Sequence, residues 1–221
     1  MNFPFISENG GGIFFPLEYK KDLGGCYFNI SEDLIKLTLG KPYKAIVDFF
    51  YEIRQETGLN IRGFSQMSRE EVMALTDLNE KKCVPALERE FDEPFILENT
   101  GALDESKLYR SAEKRGLKIS EGGRFYHLHG DSDKGSAVKW LISFYEKKYK
   151  KTFTIALGDS PNDFGMFDVV NQPILVKSSK VFTDIRERYP KILITDKYGP
   201  EGWNEAVMGL LKTEREDLSD V

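Results

Sequence analysis

A polar string that carries two carboxylates follows directly on an apolar run near residue 158. The run is FTIAL at 153–157 and the string is GDSPND at 158–163. A short continuous apolar run is typical of a buried parallel strand, and ligands bind beyond the carboxyl ends of such strands. Asp159 and Asp163, four positions apart at that end, are therefore placed to share a hard cation such as Mg²⁺. The alternative is structural: Asp159 or Ser160 caps the following helix, and Asp163 is a solvated carboxylate in its first turn.

Helices and buried strands alternate around this string. Apolar residues recur at helical spacing from Lys134 onward, residues 164–170 have a helical pattern, and PILV at 173–176 is a second short strand. This alternation predicts an open α/β sheet. The segment 3–16 has two short apolar runs around three glycines, which predicts two strands joined by a tight turn.

The middle of the chain has a different pattern. Apolar residues at helical spacing before Gly58 predict one helix, and Ser68 with Glu71 three residues later is a capping-box signature for a second. A third helix is predicted over 105–115, ended by Gly116. The strings LKIS and RFYHLH, separated by EGG, predict a β-hairpin. We therefore expect an α/β core at both ends of the chain with an α+β insertion between them.

Lys134 begins the predicted helix that precedes the FTIAL strand. A lysine at a helix N-terminus is unfavourable by itself, because the helix dipole is positive there. The same position suits an anion such as phosphate, which interacts favourably with both the ammonium group and the helix terminus. Lys134 is therefore a candidate phosphate-binding residue, and the alternative is an ordinary surface lysine in a loop.

Charge and hydrophobicity exclude several classes of protein. The chain has 31 basic and 36 acidic residues, a formal net charge of −5, and no basic stripe of the kind that neutralises nucleic-acid phosphates. No uncharged apolar stretch approaches the roughly 18 residues of a membrane span, so we expect neither a nucleic-acid partner nor a membrane. The first residues lack an export signal, and Cys26 and Cys83 are far apart and outside any CxxC string. A cytoplasmic location is therefore predicted.

Several strings together carry a family resemblance. GDSPND after a buried strand, preceded by DKG at 133–135, resembles the fourth and third motifs of the haloacid-dehalogenase superfamily of phosphatases. The strings FISENGGGIFFP, EREFDEPF, GGRFYHL, DKGSAV and GPEGWNEAV are similar to its mannosyl-3-phosphoglycerate phosphatase branch, which comprises Mg²⁺-dependent enzymes with a mobile cap domain. The resemblance extends from Phe3 to Leu211.

The resemblance implies an α/β fold class, namely an incomplete Rossmann-like haloacid-dehalogenase core with an inserted α+β cap domain. The expected divisions are residues 1–40 as part of the core, 41–130 as the cap, 131–213 as the rest of the core, and 214–221 as a polar tail that frays. The core is expected to be incomplete because the chain starts where the first two strand-helix units of such an enzyme end.

The catalytic nucleophile of the superfamily is missing from these 221 residues. Members begin with a strand ending in DxDGT, whose first Asp attacks phosphorus and whose second acts as acid and base. The similar string Asp131-Ser132-Asp133 is rejected as a nucleophile, because Lys134 and Gly135 follow it in place of Gly-Thr. We therefore expect the chain to be the carboxyl-terminal portion of such a phosphatase and to be inactive by itself.

The remaining motif residues keep the roles that the resemblance implies. Lys134 would stabilise the phosphate, Asp159 would ligate Mg²⁺, and Asp163 would support the metal, with Asn162 nearby. The implied substrate is a small sugar phosphate, mannosyl-3-phosphoglycerate, which is hydrolysed to phosphate and the compatible solute mannosylglycerate. The candidate substrate-binding residues are Glu8, Asn9, Arg89, Glu90, Arg124 and Asn162.

Alternatives to this interpretation stay open. Ordinary turn and surface roles explain the candidate substrate-binding residues equally well. The substrate is open too, since the same chemistry serves another sugar phosphate such as glucosyl-3-phosphoglycerate. A non-catalytic fragment that binds Mg²⁺ or a phosphorylated ligand is the alternative from a different class. His127 and His129 form a metal-friendly i, i+2 pair, but a hairpin surface is the favoured explanation because the sequence offers no evident third ligand.

Overall fold

The computed structural model describes residues 2–24, 28–31, 33–98 and 104–219, which form two compact units, 1–137 and 138–221. Cys26 lies outside the described residues, and Cys83 is a buried free thiol. Among the helices that are described, none is long and apolar enough to cross a membrane.

The first unit begins with a four-stranded antiparallel sheet. Its strands are β1 (Phe5–Ser7), β2 (Gly12–Pro16), β3 (Asn29–Ser31) and β4 (Leu34–Thr38), in the spatial order β1-β2-β4-β3. The first two strands form the predicted hairpin, in which Phe5 lies opposite Phe14 and their rings stack. The apolar side chains Ile13, Phe15 and Ile35 of this sheet are fully buried.

A second four-stranded antiparallel sheet follows in the same unit. Its strands are β5 (Ile61–Gly63), β6 (Asp92–Leu97), β7 (Lys118–Glu121) and β8 (Tyr126–His129), in the order β5-β6-β8-β7. Strands β7 and β8 are the predicted hairpin. The helices of this part are α1 (Tyr43–Thr57), α2 (Arg69–Thr76), α3 (Glu80–Leu87) and α4 (Ser106–Glu113).

Local sequence signals account for the ends of these helices. Helix α1 ends where Gly58 adopts a left-handed conformation with φ 66°. Helix α2 begins with the predicted capping box, in which the Ser68 hydroxyl accepts from the Glu71 amide and the Glu71 carboxylate accepts from the Ser68 amide. The apolar face of α1 packs on the second sheet, with Ile46, Phe50 and Ile53 against Phe95 and Leu128.

The second unit contains a three-stranded parallel sheet. Helix α5 (Lys134–Lys148) crosses from the first unit into the second. It is followed by β9 (Ile155–Gly158), α6 (Phe164–Phe167), β10 (Gln172–Lys177), α7 (Ile185–Arg188), β11 (Leu193–Tyr198) and α8 (Gly199–Ser219). The strand order is β11-β10-β9, and both neighbouring pairs are parallel. This confirms the helix-strand alternation predicted from the sequence.

One detail of the second unit differs from expectation. The FTIAL run is less buried than its composition suggests, because β9 starts only at Ile155 and Ile155 is 41% exposed. Within the described part of this unit β9 pairs with β10 alone. Strand β9 is therefore an edge strand of the described sheet, in which no neighbouring strand covers its outer side. Helix α8 continues to Ser219, and residues 220–221 lie outside the described part of the chain, so the expected fraying of the tail stays a prediction. The grouping of 1–40 with 131–213 as one core stays a prediction.

Candidate functional site

The GDSPND loop is organised by one buried carboxylate. Asp163 is 7% exposed, and its Oδ2 atom accepts hydrogen bonds from the amide of Asp159 (3.1 Å), the amide of Ser160 (3.3 Å) and the hydroxyl of Ser160 (3.0 Å). The Asp163 amide in turn donates to the Ser160 carbonyl oxygen at 2.9 Å. Asp163 is therefore not the solvated first-turn carboxylate of the simpler alternative, because it holds the loop in shape.

Asp159 has a different environment from Asp163. It follows Gly158, the last residue of β9, and lies exposed at the carboxyl end of the parallel sheet. The loop after β10 is tied to it, since the Ser178 hydroxyl donates to the Asp159 carbonyl oxygen at 3.2 Å. Asn162 lies half-buried in the short 3-10 helix between the two aspartates.

The donor set of this loop fits magnesium better than a metal that needs a full protein cage. Mg²⁺ usually keeps several waters and binds through one or two carboxylates together with substrate phosphate. Asp159 supplies one exposed carboxylate, and Asp163 supplies a second that is largely engaged by loop donors. Over the described residues no group of three or more His, Cys, Asp or Glu side chains is placed to hold a metal ion. The donor set therefore fits a hard cation such as Mg²⁺, and the assignment of Asp159 as its ligand stays a prediction.

Lys134 is the first residue of α5 and lies next to a tight turn of the first unit. Asp133 caps the helix, with its Oδ1 atom accepting from the Ser136 amide at 2.7 Å. Gly10 packs directly on this helix start: it has φ +87°, and a Cβ there would overlap the Asp133 carbonyl oxygen. A glycine at position 10 therefore permits the turn at 8–10 to approach Lys134 closely.

The string Asp131-Ser132-Asp133 follows the antiparallel strand β8 rather than a parallel core strand. The side chain of Asp131 is 80% exposed and lies 3.9 Å from the Lys118 ammonium group. The carboxylate of Asp133 serves as the helix cap. Neither carboxylate follows a strand of the parallel sheet. The rejection of this string as the nucleophile stays a prediction.

Glu8 and Arg89 are brought together although 81 positions separate them in the sequence. The Glu8 carboxylate accepts from the amides of Glu90 (3.0 Å) and Phe91 (2.7 Å), and its side chain is only 9% exposed. The Arg89 guanidinium lies 3.7 Å from Glu8 and 3.4 Å from Asp92. These bonds account for the left-handed backbone of Glu8, at φ 49°, which is unusual for a side chain of this size.

Asp92 is the centre of this polar cluster. Its carboxylate is fully buried and accepts from the Asn9 amide group at 2.6 Å, and the His127 Nδ1 atom lies 3.0 Å away. His129, on the same strand, instead donates from Nδ1 to the Gly130 carbonyl oxygen at 2.9 Å. Burial lowers the pKa of His129, so the neutral ring is favoured. The two histidines therefore have separate structural partners.

Two further candidate residues lie in ion pairs, and the pair is half-buried for Glu90 and exposed for Arg124. Glu90 pairs with Lys36, and Arg124 donates to Asp77 at 2.6 Å and to the Leu75 carbonyl oxygen at 3.2 Å. Arg124 thus joins the β7–β8 turn to the end of α2. Their roles in substrate binding stay predictions.

Sequence reasoning missed two buried acidic residues at the start of β6. Asp92 and Glu93 are both 0% exposed. Glu93 accepts from the Ser65 amide at 2.9 Å, the Ser65 hydroxyl at 2.6 Å and the Tyr43 hydroxyl. Burial raises the pKa of the Glu93 carboxyl, and the same burial raises the pKa of Tyr43. The available signal was the pair of acids leading into the apolar string PFIL.

Comparison with known proteins identifies relatives for nearly the whole chain. Residues 96–181 match the model of the haloacid dehalogenase-like hydrolase family. A glucosyl-3-phosphoglycerate/mannosyl-3-phosphoglycerate phosphatase of Persephonella marina is 40% identical over 217 residues, which is 94% of this chain and 76% of that protein. The corresponding protein of Methanococcoides burtonii is 36% identical with the same coverage. A mannosyl-3-phosphoglycerate phosphatase of Pyrococcus horikoshii is 35% identical, with 80% of this chain and 69% of that protein aligned.

Solved structures with the same fold have much lower identity. A crystal structure of a Thermoplasma acidophilum protein aligns with a TM-score of 0.60 at 19% identity, over 95% of this chain and 72% of that one. A Thermotoga maritima protein aligns with a TM-score of 0.51 at 15% identity, over 87% and 70% of the two chains. The predicted α/β fold class is confirmed. The chain belongs to the family of glucosyl-3-phosphoglycerate and mannosyl-3-phosphoglycerate phosphatases, within the haloacid dehalogenase-like hydrolases.

Proposed function

We propose that this chain carries the metal-binding and phosphate-binding residues of a Mg²⁺-dependent phosphatase that hydrolyses mannosyl-3-phosphoglycerate to mannosylglycerate and phosphate. The observation that supports this most is the GDSPND loop. It presents an exposed Asp159 at the carboxyl end of a parallel sheet, on a loop that Asp163 holds in shape with three hydrogen bonds. The printed names of the relatives supply the substrate class.

In this proposal Asp159 is the carboxylate ligand of Mg²⁺, and Asp163 fixes the position of Asp159. When bound, Mg²⁺ neutralises charge on the phosphoryl group. Lys134 binds phosphate through its ammonium group, assisted by the amino-terminal end of the 15-residue helix α5. The cluster of Glu8, Asn9 and Arg89 sets the turn that approaches Lys134, and so acts on the lysine by positioning.

These residues stabilise and orient a phosphoryl group, but none of them attacks it. Phosphoryl transfer through a covalent intermediate needs a carboxylate in line with the leaving oxygen. Within the 221 residues the Asp-x-Asp pattern occurs once, at 131–133. There Asp133 caps α5 and Asp131 pairs with Lys118 on the antiparallel hairpin. We therefore propose that the 221-residue chain binds the substrate and does not turn it over.

The experiment combines a binding measurement with a phosphate-release assay on the purified 221-residue chain. Mannosyl-3-phosphoglycerate is titrated with and without Mg²⁺, and release of phosphate is followed in parallel. We expect Mg²⁺-dependent binding without release, and weaker binding for Lys134→Gln. The matched control is Lys139→Gln, because Lys139 is an exposed lysine on the same helix. Binding that Lys134→Gln leaves unchanged would refute its assignment, and turnover that Asp131→Asn abolishes would identify Asp131 as the nucleophile.

A second substrate is supported by the relatives themselves. The Persephonella marina and Methanococcoides burtonii proteins are named for both glucosyl-3-phosphoglycerate and mannosyl-3-phosphoglycerate. The two substrates share the phosphate and the carboxylate and differ in the hexose, so the groups proposed here would bind both. Titration of each substrate under the same conditions gives the preference directly. A cytoplasmic location stays a prediction from the composition and the cysteines.

A further inference from the structure

We propose that Tyr198 and Lys177, at the carboxyl ends of β11 and β10, form a subsite for the hexosyl-glycerate part of the substrate. This inference rests on the proposed function and extends it to residues that the family motifs do not assign. The sugar ring would pack on the Tyr198 side chain, and the glycerate carboxylate would pair with the Lys177 ammonium group.

The first observation is the position of the two residues in the parallel sheet. Gly158 lies opposite Leu175 in the β9–β10 pair, and Lys177 lies opposite Tyr198 in the β10–β11 pair. All three strands therefore end at the edge where Asp159 is exposed. Since neighbouring strands are about 4.8 Å apart, β9 and β11 are separated by roughly 10 Å. A hexosyl phosphoglycerate with its phosphate near β9 is long enough to extend across such a distance.

The second observation is an irregularity that directs Tyr198 toward Lys177. The β10–β11 register shifts between Leu175, opposite Ile194, and Lys177, opposite Tyr198, so β11 has extra residues before Tyr198. Bulges, which are rare in parallel pairs such as this one, bend the strand and re-aim its side chains, and they are over-represented next to active sites. The result is that the Lys177 ammonium group lies 4.9 Å from the centre of the Tyr198 ring.

The bulge is built by specific side chains and is not a frayed strand end. The Thr195 hydroxyl accepts from the Lys177 amide at 3.0 Å and donates to the Lys197 carbonyl oxygen at 2.8 Å. The Glu205 carboxylate accepts from the amides of Asp196 and Lys197, each at 3.2 Å. The backbone groups of the bulge are thus hydrogen-bonded to Thr195 within β11 and to Glu205 on α8, and these bonds fix its conformation.

The string GPEGWNEAV at 199–207 acquires a structural explanation from this bulge. Gly202 allows helix α8 to approach it, because a Cβ at position 202 would overlap the Lys197 carbonyl oxygen. Glu205, one turn further along, supplies the carboxylate that caps the bulge amides. The string therefore encodes a support for the bulge that precedes Tyr198.

The third observation is the surface beside the ring. An open cavity of about 680 Å³ is lined by Asp196, Lys197, Tyr198, Pro200 and Glu201. Tyr198 is 58% exposed, so part of its ring is accessible to a ligand. The carboxylates of Asp196 and Glu201 can accept hydrogen bonds from hydroxyl groups, and the Tyr198 side chain offers an apolar ring face and a polar hydroxyl group. This combination suits a polyhydroxylated ring, and Lys177 adds a cation for a carboxylate.

The test uses phosphate-free ligands, so that its outcome does not depend on the phosphate or metal residues. Mannosylglycerate and its neutral analogue mannosylglycerol are titrated into the isotope-labelled 221-residue chain, and amide chemical shifts are followed by NMR. We expect mannosylglycerate to shift the amides of Lys177 and of residues 196–198. Shifts confined to other residues, or none up to solubility-limited ligand, would overturn the proposal.

Two variants separate the proposed roles. Lys177→Gln should weaken mannosylglycerate about threefold to fivefold, as expected for one exposed ion pair, and leave mannosylglycerol unchanged. Tyr198→Ala should weaken both ligands by about tenfold. The matched controls are Lys191→Gln and Tyr149→Ala, which change exposed residues preceding β11 and β9 at the opposite edge of the sheet. Equal losses in the controls would refute the subsite.

The outcome also distinguishes this inference from the proposed function. A chain that binds mannosylglycerate through Lys177 and Tyr198 but does not bind the phosphorylated substrate in a Mg²⁺-dependent manner contradicts the proposed function alone. A chain with Mg²⁺-dependent substrate binding that is indifferent to both variants contradicts the subsite alone.

Discussion

The Asp163 carboxylate is expected to contribute most of the stability of the GDSPND loop. Its Oδ2 atom accepts three hydrogen bonds, two of them from backbone amides. At about 1 kcal/mol net for each bond, Asp163→Ala should lower the free energy of unfolding of the second unit by about 2–3 kcal/mol. Asp163→Asn retains a carbonyl oxygen in the same place and should cost only about 1 kcal/mol.

Tryptophan fluorescence is a suitable probe, because both tryptophans, Trp140 and Trp203, lie in the second unit. Urea titrations of the native chain, Asp163→Ala and Asp163→Asn would give the shift in unfolding midpoint of each variant, provided that the slope of the free energy against urea is the same. The control is Asp184→Ala, which removes an exposed carboxylate that makes no capping bond and should change stability by less than about 0.5 kcal/mol. If Asp163→Ala is no less stable than this control, the loop does not depend on that carboxylate.

Two further predictions concern burial and backbone packing. Because the pKa of Glu93 is raised by burial, its contribution to stability is full below the unfolded value of 4.5 and is lost as pH rises through the folded value. As pH rises from 5 to 8, the β6 amides of the native chain should therefore lose more protection against hydrogen exchange than those of Glu93→Gln. The same loss of protection in both proteins would contradict this prediction. In α8, Gly209→Ala should stabilise the second unit by about 0.5–1 kcal/mol, whereas Gly202→Ala should destabilise it by about 1–3 kcal/mol. The reason is that an added Cβ meets no atom within 4 Å at Gly209 but overlaps the Lys197 carbonyl oxygen at Gly202. Equal urea midpoints for the two variants would contradict this prediction.

Local signals in the sequence predicted the elements whose ends are chemically marked. Ser68 with Glu71 gave the start of α2, and Gly58 and Gly116 gave the ends of two helices, because capping and left-handed backbone depend on residues close in sequence. Strand β6 was not predicted, since its string DEPFIL begins with two acids and contains a proline. Its acids have donors that are distant in sequence, namely Ser65 and Tyr43 for Glu93 and Asn9 for Asp92, in addition to the nearby Arg89.

The candidate site shows the same division between local and distant information. The carboxylates of GDSPND could be predicted because strand, loop and helix follow one another directly in the sequence. That Asp163 holds the loop while Asp159 is exposed could not, since four-residue spacing does not say which carboxylate turns inward. The meeting of Glu8 with Arg89 and the bulge that directs Tyr198 also depend on pairings between distant segments. Such pairings have no signature within a single stretch of sequence.

The most direct test of the account is Mg²⁺ binding at Asp159. The 221-residue chain is titrated with Mg²⁺ in the presence of inorganic phosphate by calorimetry, beside Asp159→Asn and the control Asp184→Asn, which changes another exposed carboxylate of the second unit. We expect the native chain and the control to bind Mg²⁺ equally, and Asp159→Asn to lose at least about tenfold in affinity, or about 1.4 kcal/mol. Unchanged affinity in Asp159→Asn would contradict the assignment of this loop as the metal site.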